Sequence, residues 1–352
     1  MGRSADACII AADEEHTMKV LVAGGAGYIG SHTVKRLLAA GHTPVIYDSG
    51  ERGHRVVAEL LRVPAVFADL SDTARLEQVL REHAIDVVMH FAAYAYVGES
   101  VEKPLAYYRN NVALTIGVLE AMARAGVDRF VFSSTCAIYG DPDHVPIDED
   151  APKRPVSPYG RSKWMVEQVL SDHLASRKSF SFAALRYFNA AGCDFDGVLG
   201  EDHDPETHLI PVILQTLLGQ RPHLTVFGTD YPTPDGTNIR DYIHVEDLAD
   251  AHIAAMEKLS PGVAIQCNLG TGRGFSVKEV IAAAERVTGK KVPVVWGPRR
   301  SGDAIALFAN PARAKAVLGW EARHKDPETL IASAWRWFQA HPHGYGDGRH
   351  AR

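Results

Sequence analysis

Tyr159 and Lys163 stand four residues apart in SPYGRSKW, a spacing that puts both side chains on one face of a helix. A free phenol has a pKa near 10 and is a poor base at neutral pH. An ammonium one turn away favours the phenolate, so such a pair could exchange a proton with an alcohol while its carbon is oxidised to a ketone. In a chain with 12 tyrosines the pair alone is a weak signal, since an exposed helix pair has the same spelling. Position gives it weight: Ser133-Ser134-Thr135 closes the apolar run Phe130-Val131-Phe132, and those hydroxyls could hold a substrate oxygen beside the phenol.

Such chemistry needs a hydride acceptor, and Met18 to Asp48 reads as the unit that binds one. Val20-Leu21-Val22 is short, apolar and β-branched, as a strand buried on both faces should be. Gly24, Gly27 and Gly30 follow at G-x-x-G-x-x-G spacing, which lets the backbone turn tightly, approach a pyrophosphate and pack the next helix on the strand. That helix, Tyr28 to Ala40, points its N-terminal N–H groups and dipole at the anion, and Gly41 ends it. Thr43 to Tyr47 is the second strand, and Asp48 stands at about the 20-residue offset of a carboxylate that binds the adenosine ribose diol. An acid there repels a 2′-phosphate, so the cofactor expected is NAD rather than NADP. Its positive nicotinamide would lower the Tyr159 pKa further, and Lys163 could hydrogen-bond the nicotinamide ribose.

Around these residues strands and helices alternate. Ala65 to Ala68 is a third strand ending before Asp69, and a helix from Ser71-Asp72 to Arg81 carries Leu76, Val79 and Leu80 as its stripe. Val87 to Phe91 is a fourth strand, with small Ala92-Ala93 after it where a backbone presses near a cofactor. One long helix runs from Pro104 to Ala125 with Gly126 at its stop. Phe130 to Phe132 is the fifth strand, Pro142 to Pro158 with its five prolines is an extended loop, Tyr159 to about Ala175 is a helix, and Phe182 to Tyr187 is a strand. The alternation predicts a doubly wound parallel sheet, a Rossmann-type NAD domain in α/β class, with ligands outside the carboxyl ends of its strands. Gly24, Asp48, Asp69, Phe91 and Thr135 are all strand-end positions and should converge. Beyond Asn189 the alternation breaks into polar, turn-rich stretches, Asp194 to His208 and Asp230 to Asn238, expected to form a smaller α/β substrate-binding domain.

The division expected is an N-terminal extension over 1–17, a first domain over 18–190, a second over 191–345 with the chain crossing back to the first, and a frayed tail from His341, with 346–352 as its end. With 352 residues and 46% hydrophobic content the chain can bury a large core. No run approaches the roughly 18 apolar residues of a membrane span, so no membrane partner is expected. The net charge of −6 argues against a nucleic-acid surface. Cys8, Cys136, Cys193 and Cys267 are far apart with no C-x-x-C, which reads as reduced thiols in a cytoplasmic protein. Glu201, Asp202, His203, Asp204, Glu206 and His208 read as a polar, water-facing loop near the substrate, with no metal expected.

The blocks GGAGYIGSH, HFAA with VGES, YYRNNV, SSTCAIYG, SPYGRSK, LRYFNAAG, FGTDYPTPDGTNIRDYIHVEDLADAH and NLGTG resemble the UDP-glucose (UDP-galactose) 4-epimerase family of the extended short-chain dehydrogenase/reductase superfamily, from Lys19 to about Tyr345. The resemblance implies that Tyr159 takes the proton of the sugar 4-hydroxyl while hydride moves from C4 to tightly held NAD+. The 4-keto sugar then swings about its diphosphate and is reduced on its other face. By the same resemblance Thr135 shares the 4-hydroxyl hydrogen bond. Gly24, Gly27, Tyr28, Ile29, Gly30, Asp48, Asp69, Leu70, Phe91, Ala92, Ala93, Asn110, Lys163 and Tyr187 line NAD. Asn189, His208, Leu209, Phe227, Arg240 and Arg300, with Asp303, hold the UDP-sugar. A diphosphate does call for charge-assisted, often bidentate donors such as these arginines. The resemblance also implies a homodimer paired through long helices such as Pro104 to Ala125, and a place in galactose metabolism.

Two positions depart from the pattern. Where some members carry a lysine near the cofactor phosphates this chain has Ala95, so NAD is held less tightly or by other groups. The position that gates the sugar C2 substituent is Leu307, intermediate between a restrictive tyrosine and a small residue. UDP-xylose/UDP-arabinose 4-epimerases share HFAAxAYVGES and the HPHGY tail and are the alternative reading. A sugar-nucleotide 4,6-dehydratase would need Asp-Glu after the threonine, where Cys136 and Ala137 stand. A non-catalytic NAD-binding sensor would not be expected to keep Tyr159, Lys163 and Thr135.

Overall fold

The computed structural model describes residues 17–300 and 303–347. The expected N-terminal extension except Thr17, Cys8 within it, and the tail from 348 onward lie outside the described residues. The first six strands are β1 (Lys19–Ala23), β2 (Thr43–Asp48), β3 (Ala65–Phe67), β4 (Val87–His90), β5 (Arg129–Thr135) and β6 (Ser181–Tyr187). They form one parallel sheet in the order β6-β5-β4-β1-β2-β3, and the strand Ala264–Leu269 pairs along the outer side of β6. This is the expected doubly wound parallel sheet. Its order reverses between β1 and β4, where the loops leaving the two strands diverge and open a crevice.

Both faces of the sheet are covered, which is why its strands are apolar throughout. Val20 and Val22 turn to one side and pack with Val34 and Leu37 of helix Tyr28–Ala39 and Leu248 and Met256 of helix Val245–Glu257. Leu21 and Ala23 turn to the other, against helices Thr73–Glu82, Leu114–Ala125 and Pro158–Ser176. Each such buried Leu or Val contributes about 1.5–3 kcal/mol. Strand-to-helix loops at the carboxyl edge are thereby held on a rigid base.

The helix expected over Pro104 to Ala125 is continuous but not uniform. It runs as α-helix Pro104–Tyr108, a π-helical turn Arg109–Ala113, and α-helix Leu114–Ala125, closed by Gly126 at φ +80°. A π-turn widens the helix locally and is common at functional sites. It carries Asn110 and Asn111. A short helix, Val97–Glu102, precedes it.

Beyond Asn189 short strands replace long ones. Asn189–Ala191 pairs with Tyr242–His244, Leu224–Phe227 with Val294–Gly297, and Ile239–Arg240 lies between Phe275–Ser276 and Ala306–Leu307. Helices Leu209–Leu217, Val277–Thr288 and Pro327–Ala340 enclose a separate core around Trp337. The tail expected to fray is instead packed as far as Asp347. Tyr345 lies 5.4 Å from the Trp337 ring and its hydroxyl donates to the Gly200 carbonyl at 3.2 Å, while the Asp347 carboxylate meets His54 Nδ1 at 2.8 Å. An aromatic body with a polar tip suits such a half-buried seam.

Candidate functional site

The three glycines do three different things. Gly24 takes φ +81°, and a Cβ there would stand 2.6 Å from the Ala92 nitrogen, so the turn after β1 fits against the loop after β4 only without a side chain. A Cβ at Gly30 would run into the Gly24 carbonyl, which makes Gly30 the close helix–strand contact. Gly27 has room: the only atom near its Cβ would be the Gly24 oxygen at 3.4 Å. Gly27 caps helix Tyr28–Ala39 with no side-chain hydrogen bond, leaving the first-turn N–H groups facing outward past an open backbone. That is a cradle for an anionic group, and it fits the pyrophosphate of NAD.

Asp48 is buried at the end of β2. Its carboxylate accepts from the Ala26 nitrogen at 3.1 Å and the Gly50 nitrogen at 2.8 Å, which holds it beside the glycine turn. Asp69, exposed after β3, accepts from the Ser71 nitrogen, and half-buried Leu70 follows it. Phe91 packs 4.7 Å from the His252 ring, and the Phe91 and Ala92 nitrogens both donate to the Ala23 carbonyl. Ile29, in the first turn of helix Tyr28–Ala39, packs against the core that holds Val20 and Val22. The Tyr28 hydroxyl donates to the Gly192 carbonyl at 2.5 Å, so its side chain ties the first helix to the second half of the chain. Guanidinium Arg52 lies over the rings of Tyr94 and Tyr96, on both sides of Ala95.

Tyr159 and Lys163 lie in the first turns of helix Pro158–Ser176, which Ser157 caps by accepting from the Gly160 nitrogen. Half-buried Tyr159 lies near Thr135, whose hydroxyl favours the ionised phenol, and Thr135 Oγ1 accepts from the Ala137 nitrogen. Lys163 is buried, donates to the Ser133 carbonyl at 2.8 Å, and lies 4.7 Å over the Phe132 ring. Tyr187 and Ser133 share a hydroxyl hydrogen bond of 2.5 Å. One expectation is corrected here. Lys163 was to lower the Tyr159 pKa, but it points to the strand, and burial, then the neighbouring Tyr187, raise the phenol above its usual range, with the Thr135 hydroxyl pulling the other way. Burial likewise lowers Lys163 from 10.5 to about 7.

Sequence reading missed what supports this group. Asn111 is buried in the π-turn, accepts from the Tyr94 nitrogen, and donates to the Tyr94 carbonyl and the Ser162 hydroxyl, joining the loop after β4 to the helix of Tyr159. Asn110, half-buried, donates to its side-chain oxygen. Behind Thr135, Ser134 donates to Glu167 at 2.5 Å, and Glu167 forms a fully buried ion pair with Arg186 at 2.6 Å. Glu167 stands four residues after Lys163, so its place on the same helix face was the available signal.

The other predicted residues fall into smaller groups in the second half of the chain. Arg240 sits 4.0 Å from Asp303 and faces Leu307 in the register of their paired strands. The Arg300 guanidinium lies 3.8 Å over the Phe227 ring. Asn189 donates to the Asp241 carbonyl at 2.9 Å, next to Arg240. Burial pushes the Cys136 thiol up to about 12 while the nearby Arg240 charge pulls it down, which puts that guanidinium close to the residue after Thr135. His208 and Leu209 begin helix Leu209–Leu217, whose cap makes no side-chain hydrogen bond. The loop before it departs from expectation: Glu201 and Glu206 are buried against His203 and His208, not turned to water.

Residues 20–270 match the NAD dependent epimerase/dehydratase family. The UDP-glucose 4-epimerase of Lacticaseibacillus casei is 47% identical over 332 residues, covering 94% of this chain and 99% of that one. A crystal structure of the Stenotrophomonas maltophila UDP-glucose 4-epimerase, with bound NAD and formylated UDP-arabinopyranose, superposes with TM-score 0.90 at 44% identity over 92% of this chain and 99% of that one. The Bifidobacterium longum enzyme in complex with NAD+ and UDP has TM-score 0.89 at 39% identity over 93% and 100%.

Proposed function

The chain belongs to the NAD dependent epimerase/dehydratase family, and from that premise we propose that it interconverts UDP-glucose and UDP-galactose by NAD-dependent 4-epimerisation. The observation that carries the reading is the meeting of the Tyr159 phenol with the Thr135 side chain, while Lys163 is buried on Ser133 beside them. NAD, when bound, supplies the acceptor that takes hydride from the sugar C4 and returns it, leaving no net redox change. Gly24, Gly27 and Gly30 receive its pyrophosphate, Tyr28 and Ile29 by their place in the first helical turn. Asp48 takes the adenosine ribose, with Asp69, Leu70, Phe91, Ala92, Ala93, Asn110, Tyr187 and Lys163 along the rest.

Tyr159 is the acid/base. Because burial holds its proton on, the phenol ionises only once a positive charge stands beside it, which couples proton removal to a loaded site. It then takes the proton of the 4-hydroxyl, and Thr135 holds that oxygen in line. The same phenol gives the proton back on either face of the ring, so the reaction runs both ways. Arg240 and Arg300 anchor the diphosphate with Asp303, Asn189, His208, Leu209 and Phe227 around the nucleotide, and Leu307 stands at the C2 substituent.

The protein is read as a cytoplasmic homodimer serving galactose metabolism. Supporting the dimer, Val101 and Leu105 are 63% and 78% exposed, and Ile116 and Met165 are also exposed on neighbouring helices. Apolar side chains bared along adjacent helices suit a helix-to-helix interface.

The reading is tested by equilibrating the purified protein, without added reductant, against UDP-galactose, UDP-arabinopyranose and UDP-N-acetylgalactosamine and resolving the products by chromatography. UDP-glucose is the expected main product. A methylene-scale difference in the pocket is worth only about 1–3 kcal/mol, so slower conversion of the others is compatible, and no conversion of UDP-galactose is not.

A further inference from the structure

The loop ahead of helix Leu209–Leu217 holds a group of four side chains, of which only His208 has a place in the reading above. The Glu201 and Glu206 side chains are 4% and 2% exposed, and His203 and His208 turn their Nδ1 atoms toward both. His203 Nδ1 stands 3.4 Å from Glu201 and 3.4 Å from Glu206; His208 Nδ1 stands 3.1 Å from Glu201 and 2.8 Å from Glu206. One ligand atom from each of the four residues falls within 4.8 Å of every other.

A ring nitrogen carries at most one hydrogen, so each Nδ1 here has one proton to share between two carboxylates. The two 3.4 Å separations at His203 are also longer than an ordinary N–H···O bond of about 2.7–3.2 Å. They match something else. Zinc bonds of about 2.0–2.2 Å in a tetrahedron put neighbouring ligand atoms about 3.3–3.5 Å apart, the spacing of His203 from both carboxylates, while His208 stands closer to them at 3.1 and 2.8 Å. Burial opposes charge on the two rings, but the hydrogen bonds to Glu201 and Glu206 outweigh it and hold His203 and His208 up, at about 9 and about 10, so without metal the four groups pair among themselves and a divalent ion would take the place of those two protons. Glu206 is oriented by backbone, since the Thr207 and His208 nitrogens each donate to its Oε1 at 2.7 Å.

We propose that Glu201, His203, Glu206 and His208 form a binding site for a divalent transition-metal ion of the zinc type. Four protein ligands close the site, so its role is structural: the ion fastens the loop at the start of helix Leu209–Leu217. The His203 ring sits 5.9 Å edge-on to Tyr28, at the start of the first helix, and 6.4 Å from Tyr96, so the fastened loop braces the cofactor half of the crevice. The inference stands independently of the epimerase reading.

The test uses the full chain. Purified without chelators and gel-filtered into metal-free buffer, it should carry about one zinc ion per chain by elemental analysis, as a closed structural site does. Stripped protein reloaded with Co2+ alone should develop the intense visible bands of tetrahedral cobalt. The Glu201→Gln/His203→Gln double variant should bind Zn2+ at least about 100-fold more weakly in a competition titration. Wild-type protein without zinc that also gives only the weak bands of octahedral cobalt overturns the proposal, and so does a folded variant with unchanged affinity. Should the double variant fail to fold, the wild-type metal content and cobalt spectrum decide alone.

Discussion

Lys163 donates to the carbonyl of Ser133 at 2.8 Å, and four residues earlier on the same helix Tyr159 engages Thr135, two residues further along the strand. Four helical residues rise about 6 Å and two strand residues about 6.6 Å, so the i, i+4 pair is a length match to an i, i+2 pair on β5. The helix therefore delivers a phenol and an ammonium to one strand end in fixed register. Lys163→Met keeps the stem and removes the donor. Turnover of UDP-galactose should fall by about 10²-fold or more, the scale of losing one preorganised donor, while the thermal midpoint stays within a few degrees because a buried charge is removed as well. Steady-state kinetics and a melting curve check both halves.

Gly27 and Gly30 look alike in sequence and should fail differently. Gly30→Ala forces a Cβ into the Gly24 carbonyl, so the variant should be poorly folded. Gly27→Ala meets nothing closer than 3.4 Å and should fold normally, yet its methyl group stands on the open backbone where the pyrophosphate is received. A folded Gly27→Ala protein that retains NAD as well as the wild type does would contradict the assignment; the measure is NAD per chain after gel filtration.

Glu167→Gln removes the partner of a fully buried Arg186. Leaving that charge uncompensated should cost about 3–5 kcal/mol in chemical unfolding. The pair Glu167→Gln with Arg186→Met should recover much of the loss. No recovery would place the effect elsewhere than in the unpaired charge.

Acid should unfold the protein through its buried histidines. His32 and His252 are lowered to about 4 and His90 and His244 to about 3, in each case first by burial. Above pH 6.5 they are neutral folded or unfolded and cost nothing. Below it the unfolded chain takes up protons that the folded one refuses, so stability falls as pH drops towards the folded values. Each contributes roughly 1.4 kcal/mol per pH unit across that window. The melting temperature should drop steeply from pH 6.5 to 4.5, and His252→Leu should make the drop shallower; a flat profile would show that these rings protonate in place.

The parallel sheet and the glycine turn at its carboxyl edge were legible because local signals fix them: β-branched runs, the glycine spacing, and the helix stop at Gly126. What escaped depends on distant parts of the chain. The return of Ala264–Leu269 to the sheet edge is a pairing between distant segments that no window reveals. The π-turn shares its side-chain pattern with an α-helix, so Asn110 and Asn111 gave no sign of it. Tyr345 read as part of a loose glycine-rich tail, and only the Trp337 surface opposite explains its packing. Lys163 was placed on the right face, but its partner Ser133 is a backbone carbonyl, invisible to any reading of side chains.

The most direct test of the account compares wild type and Tyr159→Phe, both with NAD content measured, in the equilibration of UDP-galactose. Loss of general acid–base catalysis should lower turnover by about 10²–10⁴-fold with NAD still bound. An undiminished rate in Tyr159→Phe, or a wild type that holds NAD and forms no UDP-glucose, would contradict it.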